Sequence, residues 1–271
     1  MTIRTALITL AAALSAASLS AGCTGAAAEP PDPTNRPTVV LVHGAFADSS
    51  SWNGVIERLE ADGYPVVAAA NPLRGLASDA AYVRSVVDSV AGPVVLAGHS
   101  YGGSVISEAA DRSPHVKALV YVASFILEVG ESTGQLAAQF PGAELGPALN
   151  AVPYPLPEGG TADELYIKQD QFATVFAADV PADVATLMAA TQRPIAAAAL
   201  ADPATKAAWK TIPSWNMVTT KDLAIPAESM RFMGDRARSH TVEIDASHAV
   251  TVSRPEAVAD LIDQAADATN S

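Results

Sequence analysis

The stretch Val94–Gly103, "VVLAGHSYGG", joins an apolar run to a segment with helical periodicity. Its first residues are β-branched and apolar, which is typical of a buried strand, and the following "SVISEAADR" is typical of an amphipathic helix. Three of the six residues from Gly98 to Gly103 are glycine. Glycine inside regular structure costs about 0.5 to 1 kcal/mol relative to alanine, so this density indicates a backbone geometry that other residues do not reach. The stretch predicts a sharp turn between a strand and a helix, with Ser100 at its apex.

Short apolar runs alternate with amphipathic helical stretches from Pro37 onward. The runs are continuously apolar, whereas strands with one solvated face alternate between apolar and polar residues. This alternation of strand and helix predicts an α/β fold with a mostly parallel six-stranded sheet and helices on both faces. The predicted strands are 37–44, 64–72, 93–98, 116–124, 214–220 and 240–246.

One interval, residues 125–212, interrupts this alternation. It contains helical patches such as "PADVATLMAATQ" and no convincing strand, and its "VPYPLPEGG" segment (152–160) is rich in turn-forming residues. We predict a helical cap inserted into the domain, with 152–160 as a loop. An insertion that follows a strand is placed to overhang the carboxyl ends of the sheet, where open α/β sheets bind ligands.

The first 22 residues have the character of an export signal, with Arg4 preceding a stretch of apolar and small residues. The only cysteine, Cys23, follows in "LSAGC", which resembles the processing site of bacterial lipoproteins, although Leu19 lies one place further upstream than usual. We expect an exported bacterial protein, either extracellular or attached to the cell-surface membrane through a lipidated Cys23. The alternative is an ordinary secretory signal with an incidental cysteine. Residues 23–36, rich in proline and small residues, predict a flexible tether.

The composition excludes one class of partner. The 271 residues carry a formal net charge of −13, and no basic run is present. Nucleic-acid binding depends on cations that neutralise phosphates, so we exclude a nucleic-acid partner. Because 49% of the residues are hydrophobic, the chain can bury a large core, and residues 37–271 are predicted to form the folded domain.

The segment Gly98–Gly102 matches the pattern G-x-S-x-G in its required context, between a strand and a helix. A serine hydroxyl is a weak nucleophile, and it needs exposure on a sharp turn, a base and donors for the developing oxyanion. We predict Ser100 as a catalytic nucleophile. The alternative is a purely structural turn.

The base is expected to follow the serine, because this type of turn orders its triad as Ser, Asp or Glu, His. The chain has five histidines, of which His43 and His99 precede the serine, and His115 and His240 open strands at the opposite edge of the sheet. His248 follows the last strand, at the edge where the serine lies. We predict His248 as the base; the alternative is a solvated loop histidine.

The acid must lie at the carboxyl end of another strand and reach the far nitrogen of the base. Asp222 follows the strand 214–220 directly. Glu128 and Asp245 are the competitors, the latter only three residues before His248. In the structural alternative, Asp222 caps the following helix.

Two backbone N–H groups are expected to bind the oxyanion, one from the residue after the nucleophile and one from the loop after the first strand. These are Tyr101 and Ala45, with Phe46 as the next candidate. The aromatic Phe46 is also predicted to line the substrate pocket. His43 is expected to organise this loop rather than transfer protons.

Taken in order, "HGAF", "GHSYGG", "TTKDLAIP" and "DASHAV" make the chain similar to the α/β-hydrolase superfamily from Pro37 to the last helix. More narrowly, it resembles the compact branch of plant methyl esterases, hydroxynitrile lyases and bacterial esterase-like proteins. The resemblance implies Ser100, Asp222 and His248 as the triad, Ala45 and Tyr101 as oxyanion donors, a cap over 125–212, and neither cofactor nor metal.

This resemblance implies a serine hydrolase that cleaves a small-molecule carboxylic ester through an acyl-enzyme. The alternatives are a hydroxynitrile-lyase-like or cofactor-free haloperoxidase-like activity, or a protein that only binds a ligand. The lyase members of the branch have threonine in place of Gly44 and lysine in place of Ala249. The alanine-rich segment 194–204 offers no charged cluster, so we expect small or medium apolar esters.

Overall fold

The computed structural model describes residues 36–269; the predicted signal segment, Cys23 and most of the predicted tether lie outside these residues. The strands are β1 (Thr38–Val42), β2 (Val66–Ala69), β3 (Val94–His99), β4 (Val116–Val122), β5 (Leu149–Pro155), β6 (Thr161–Ile167), β7 (Ile195–Ala196), β8 (Ser214–Thr219) and β9 (His240–Ile244). The helices are α1 (Asn53–Ala61), α2 (Leu76–Asp88), α3 (Tyr101–Ala109), α4 (Thr133–Gln139), α5 (Leu145–Ala148), α6 (Gln169–Val175), α7 (Ala182–Thr191), α8 (Ala197–Ala201), α9 (Ala227–Ala237), α10 (Val250–Ser253) and α11 (Pro255–Asp267).

The main sheet has six strands in the order β2-β1-β3-β4-β8-β9, and within the described part of the chain every pairing in it is parallel. The predicted α/β fold is therefore confirmed. The chain moves one way across the sheet from β1 to β2 and the other way from β2 to β3. Because such crossovers are right-handed, α1 and α2 lie on opposite faces. In agreement, α1 packs against α11 and α2 packs against α3.

The burial of the central strands explains why their apolar runs are continuous. Every residue of β3 and β8 is buried, as are all but the first residue of β1 and all but Lys117 of β4. Helices cover both faces, so no position of these strands needs a polar side chain. The edge strand β9 is mostly exposed, and its Glu243 pairs with Arg231 at 2.7 Å.

The inserted segment is not purely helical, which corrects the prediction for 125–212. It contains five α-helices, α4 to α8, and a three-stranded antiparallel sheet in the order β5-β6-β7, counted within residues 36–269. The predicted loop 152–160 is in fact the end of β5 followed by the turn into β6, with register from Leu149↔Ile167 to Pro155↔Thr161. Prolines argued against a strand here, but β5 is an edge strand, where a missing N–H is tolerated.

We find no helix in the region from 36 to 269 with both the length and the apolar character needed to cross a bilayer.

Candidate active site

The strand order places four loops around one crevice. The order reverses between β1 and β3, and ligands bind where such a reversal opens the sheet at the carboxyl ends of its strands. Ala45 follows β1 and Ser100 follows β3, on the two sides of this point. Asp222 follows β8 and His248 follows β9 at the same edge. The topology therefore brings to one edge of the sheet residues that are up to 203 positions apart in sequence, from Ala45 to His248.

The turn between β3 and α3 is strained at its apex. Ser100 has φ 56° and ψ −127°, a left-handed φ that non-glycine residues adopt at a cost of order 1 to 3 kcal/mol. The flanking glycines make this turn possible because backbone atoms come too close to them to leave room for a Cβ. A Cβ added to Gly98 would lie 2.6 Å from the carbonyl oxygen of Gly102, and one added to Gly102 would lie 2.4 Å from the carbonyl oxygen of Val42. Gly98 thus lets the end of β3 pack against the start of α3, and Gly102 lets the turn pack against β1.

The side chains of Ser100, His248 and Asp222 form one hydrogen-bonded line. His248 Nε2 lies 2.9 Å from Ser100 Oγ, and His248 Nδ1 lies 2.7 Å from Asp222 Oδ2. The three residues are nearly sealed, with 7%, 1% and 6% of their surfaces exposed for Ser100, His248 and Asp222 respectively. Since a carboxylate only accepts hydrogen bonds, Nδ1 carries the proton and Nε2 faces the serine hydroxyl with its lone pair.

Both carboxylate oxygens of Asp222 accept hydrogen bonds. Its Oδ1 accepts from the backbone N–H groups of Ala224 and Ile225, both at 2.8 Å, and its Oδ2 accepts from Thr219 Oγ1 at 2.8 Å. These donors fix the orientation of the carboxylate. Asp222 does not cap α9, whose N-cap residue is Pro226; its Oδ1 instead binds the loop before that helix, while its Oδ2 contacts His248.

Among the described residues, neither competing acid is hydrogen-bonded to His248. Glu128 pairs with Lys210 at 2.5 Å, and this contact lowers the pKa of the Glu128 carboxyl. Asp245 is exposed on the loop that leads to His248.

The loop after β1 packs directly on Ser100. A Cβ on Gly44 would lie 2.6 Å from Ser100 Cβ and 2.7 Å from the His99 carbonyl oxygen, so only glycine permits this approach. Among the hydrogen bonds of residues 36–269, the N–H groups of Ala45 and Tyr101 have no acceptor. The N–H of Phe46, the other donor considered, is bonded to the Arg193 carbonyl at 3.0 Å.

Polar residues that the sequence analysis did not assign hold these two loops. Asn71 Nδ2 donates to the carbonyl of His43 at 3.0 Å, and Tyr101 Oη donates to Asp79 Oδ2 at 2.9 Å. Asp79 also accepts from the backbone N–H of Arg74. The sequence could have pointed to Asn71, because it is a polar residue just after β2. No local sequence pattern distinguishes Asp79.

Two further histidines lie beneath the site in an uncharged form. Burial, together with the proximity of His248, lowers the pKa of His99 to about 3, although the hydrogen bond from His99 Nε2 to the His248 carbonyl at 2.9 Å opposes the shift. Burial likewise lowers the pKa of His43 to about 4, although its bond to the Gly44 carbonyl opposes the shift. His99 thus supports the loop that carries His248.

These shifts predict an acid-sensitive fold. Both histidines bind protons more weakly when folded than when unfolded, so the unfolded state gains protons as the pH falls below about 6.5, and the free energy of unfolding falls with it. Each histidine contributes a loss of about 2 kcal/mol between pH 7 and pH 5. Denaturant unfolding at the two pH values measures this loss. His99→Gln should reduce it and His240→Gln, at an exposed position, should not; an equal loss in all three proteins contradicts the assignment.

The cap closes over the histidine. The Phe176 ring meets His248 edge-on at a centroid distance of 4.8 Å, and its carbonyl accepts from the Ala249 N–H at 2.9 Å. Ser247 donates to Asp179, which also lies 3.5 Å from Arg254 Nη1. The segment 176–179 therefore fixes the loop around His248, a role that the sequence could not reveal because it depends on where the cap packs.

In the described part of the chain, no group of three or more His, Cys, Asp or Glu side chains is arranged to hold a metal ion.

A family model described as the alpha/beta hydrolase family matches residues 39–261. Probable hydrolase R7 from a Phoma species is 26% identical over 84% of this chain and 97% of its own length. The pyrethroid hydrolase of Sphingobium wenxiniae is 27% identical over 85% of this chain and 88% of its own length.

Solved structures show the same fold. The crystal structure of polyneuridine aldehyde esterase superposes with a TM-score of 0.74 at 19% identity, and the match covers 84% of this chain and 98% of that one. Because nearly the whole of that protein is matched, the likeness includes the cap as well as the main sheet.

Proposed function

Because this chain belongs to the alpha/beta hydrolase family, we propose that it is a serine hydrolase that cleaves carboxylic esters through an acyl-enzyme on Ser100. The observation that carries the proposal is the unbroken hydrogen-bonded line from Ser100 through His248 to Asp222. Relatives named as esterases and as a pyrethroid hydrolase support an ester as the bond that is cleaved.

The first half of the reaction forms the acyl-enzyme. Ser100 Oγ attacks the ester carbonyl carbon while His248 Nε2 takes the hydroxyl proton. The resulting imidazolium is stabilised by the Asp222 carboxylate, 2.7 Å from Nδ1. The carbonyl oxygen becomes an oxyanion, for which the unpaired N–H groups of Ala45 and Tyr101 are the donors. His248 then protonates the departing alcohol oxygen, and the C–O bond breaks.

The second half releases the acid. A water molecule attacks the acyl carbon, His248 Nε2 takes a proton from that water, and the same two N–H groups hold the second oxyanion. Collapse of this intermediate breaks the bond to Ser100 Oγ, which recovers its proton from His248. The buried setting of the three residues excludes bulk water and strengthens these electrostatic contacts.

The lyase alternative has less support. Ala249 follows His248, so the cation that would stabilise a departing cyanide is missing from this position. A threonine at position 44 would meet Ser100 at 2.6 Å and would displace the loop. The complete triad geometry likewise disfavours a protein that only binds its ligand.

Rapid mixing with p-nitrophenyl acetate tests the proposal. An acyl-enzyme predicts release of p-nitrophenol above the uncatalysed rate, with a burst approaching one equivalent per enzyme when deacylation is the slower half. Mandelonitrile serves as the matched lyase substrate and should release no cyanide above background. Cyanide release without ester cleavage would overturn the proposal.

A further inference from the structure

The chain that leaves β4 packs against the backbone of Ser100. The Ser100 N–H donates to the Val122 carbonyl at 3.2 Å. In addition, the Ser100 carbonyl oxygen accepts from Ser124 Oγ at 2.6 Å and from the Phe125 N–H at 3.4 Å. The end of β4 therefore holds the backbone of Ser100 through both of its polar groups.

The closest of these contacts comes from the side chain of Ser124. The Gly103 N–H also donates to the Ser100 carbonyl, at 3.0 Å. An O–H···O hydrogen bond in proteins is typically about 2.7 to 2.8 Å long, so the 2.6 Å contact of Ser124 is short. Ser124 is fully buried, where a hydrogen bond is electrostatically stronger than in water. Its hydroxyl is therefore the donor best placed to fix the Ser100 carbonyl.

Two local features place this hydroxyl. Ala123 has φ 44°, a left-handed conformation that non-glycine residues seldom adopt, and its N–H donates to the Met217 carbonyl at 3.0 Å. A Cβ on Gly103 would overlap Ser124 Oγ, so only glycine at this position of α3 leaves room for it. The turn at Ala123 and the space at Gly103 together bring the hydroxyl to the Ser100 carbonyl.

The carbonyl that Ser124 contacts belongs to the same peptide unit as the Tyr101 N–H. This unit is planar and trans, so its C=O and its N–H point in opposite directions. Hydrogen bonds to the carbonyl therefore fix the direction of the N–H, which has no acceptor among residues 36–269 and is the proposed oxyanion donor. A hydrogen bond to the carbonyl oxygen also polarises the amide, which makes its N–H a stronger donor.

We propose that Ser124 is a positioning residue for the reaction, which orients and polarises the Tyr101 N–H through the Ser100 carbonyl. The inference rests on the proposed function, in which this N–H binds the oxyanion. The oxyanion forms during the reaction and is absent from the bound ester. A weaker donor therefore raises the barrier without weakening ground-state binding, and Ser124 acts on kcat rather than on KM.

Replacing Ser124 with alanine tests this inference. Ser124→Ala should lower kcat for p-nitrophenyl acetate about tenfold and leave KM within about twofold of the wild-type value. Loss of a whole oxyanion donor costs about 100 to 1,000-fold in kcat, whereas this variant weakens one donor and keeps the Gly103 and Phe125 bonds to the carbonyl. Both halves of the reaction form an oxyanion, so they slow together. Affinity for a trifluoromethyl ketone, which binds serine as an oxyanion, should fall by the same factor as kcat.

Ser107→Ala is the matched control for this substitution. Ser107 is also fully buried, and its hydroxyl bonds to the Gly103 carbonyl at 2.9 Å and to Tyr121 Oη at 2.8 Å, away from the Ser100 carbonyl. A purely structural effect of losing a buried hydroxyl would appear in both variants, whereas we expect Ser107→Ala to keep kcat within about twofold of the wild type. Wild-type kcat in folded Ser124→Ala, or an equal loss in Ser107→Ala, would overturn the inference.

A second measurement needs no turnover. The ¹⁵N chemical shift of a backbone amide responds to hydrogen bonding at the preceding carbonyl, here that of Ser100. In protein labelled with ¹⁵N-tyrosine, the Tyr101 resonance is the one absent from Tyr101→Phe, and it should move upfield in Ser124→Ala but not in Ser107→Ala. An unmoved resonance in Ser124→Ala would overturn the inference. A wild-type protein that cleaves no ester refutes the proposed function, and the Tyr101 resonance then still shows whether Ser124 polarises this amide.

Discussion

Replacing Ser100 with alanine should lower kcat for p-nitrophenyl acetate by about four to six orders of magnitude, to a rate close to that of the uncatalysed reaction. The substitution removes the hydroxyl oxygen that lies 2.9 Å from His248 Nε2, and the base is left without the group that it is proposed to deprotonate. Members of such a unit act together, so the loss of one removes nearly the whole effect.

A control separates chemistry from folding in this experiment. Alanine at position 100 keeps the Cβ that contacts Gly44 and removes a single buried hydroxyl. The backbone at position 100 stays left-handed, so we expect an unchanged circular dichroism spectrum. The group that is removed is a buried polar hydroxyl, so we expect a Tm at or above that of the wild type. Turnover above a tenth of the wild-type value in the folded variant would contradict the role of Ser100.

Asp222→Asn should lower kcat by about four orders of magnitude through the tautomer of His248. The amide oxygen of the new side chain is held by the N–H groups of Ala224 and Ile225, which bond only to an acceptor. Its NH₂ group then faces His248 Nδ1, which must become the acceptor. The proton moves to Nε2, where it points at Ser100 Oγ and blocks general-base catalysis.

Asp245→Asn is the matched control for this substitution. It makes the same chemical change three residues before His248, at an exposed position, and should alter kcat less than twofold. A comparable loss in Asp245→Asn, or none in Asp222→Asn, would give the orienting role to another acid. Raising the pH should not restore activity to Asp222→Asn, because the His248 ring carries one proton as before, but on Nε2 instead of Nδ1.

The sequence predicted those parts of the protein that local pattern determines. The four strands from β1 to β4 follow from apolar runs, and β8 and β9 from shorter β-branched stretches in the same strand–helix alternation. The resemblance to the α/β-hydrolase superfamily is confirmed by the family match over residues 39–261. The order of Ser100, Asp222 and His248 along the chain, each after a strand, was sufficient to select three side chains that the structure brings within hydrogen-bonding distance.

The cap was predicted poorly for a physical reason. The prolines of β5 counted against a strand, because proline lacks the N–H that a strand donates to its neighbours. At the edge of a sheet this missing N–H is tolerated, and β5 is an edge strand. Whether a strand lies at an edge depends on the folded cap and cannot be read from a short stretch of sequence. The contacts of Phe176 and Asp179 with the histidine loop depend in the same way on where the cap packs. Tertiary packing therefore determines how the site is covered, whereas local sequence determines the loops that carry Ser100, Asp222 and His248.

Covalent labelling of the purified protein with a fluorophosphonate probe, followed by peptide mass spectrometry, tests the nucleophilic role of Ser100 directly. We expect one adduct per chain, located on Ser100, with no adduct in Ser100→Ala and strongly slowed labelling in Asp222→Asn. A folded wild-type protein that cleaves esters yet carries no adduct on Ser100, or carries it on another residue, would show that Ser100 is not the nucleophile.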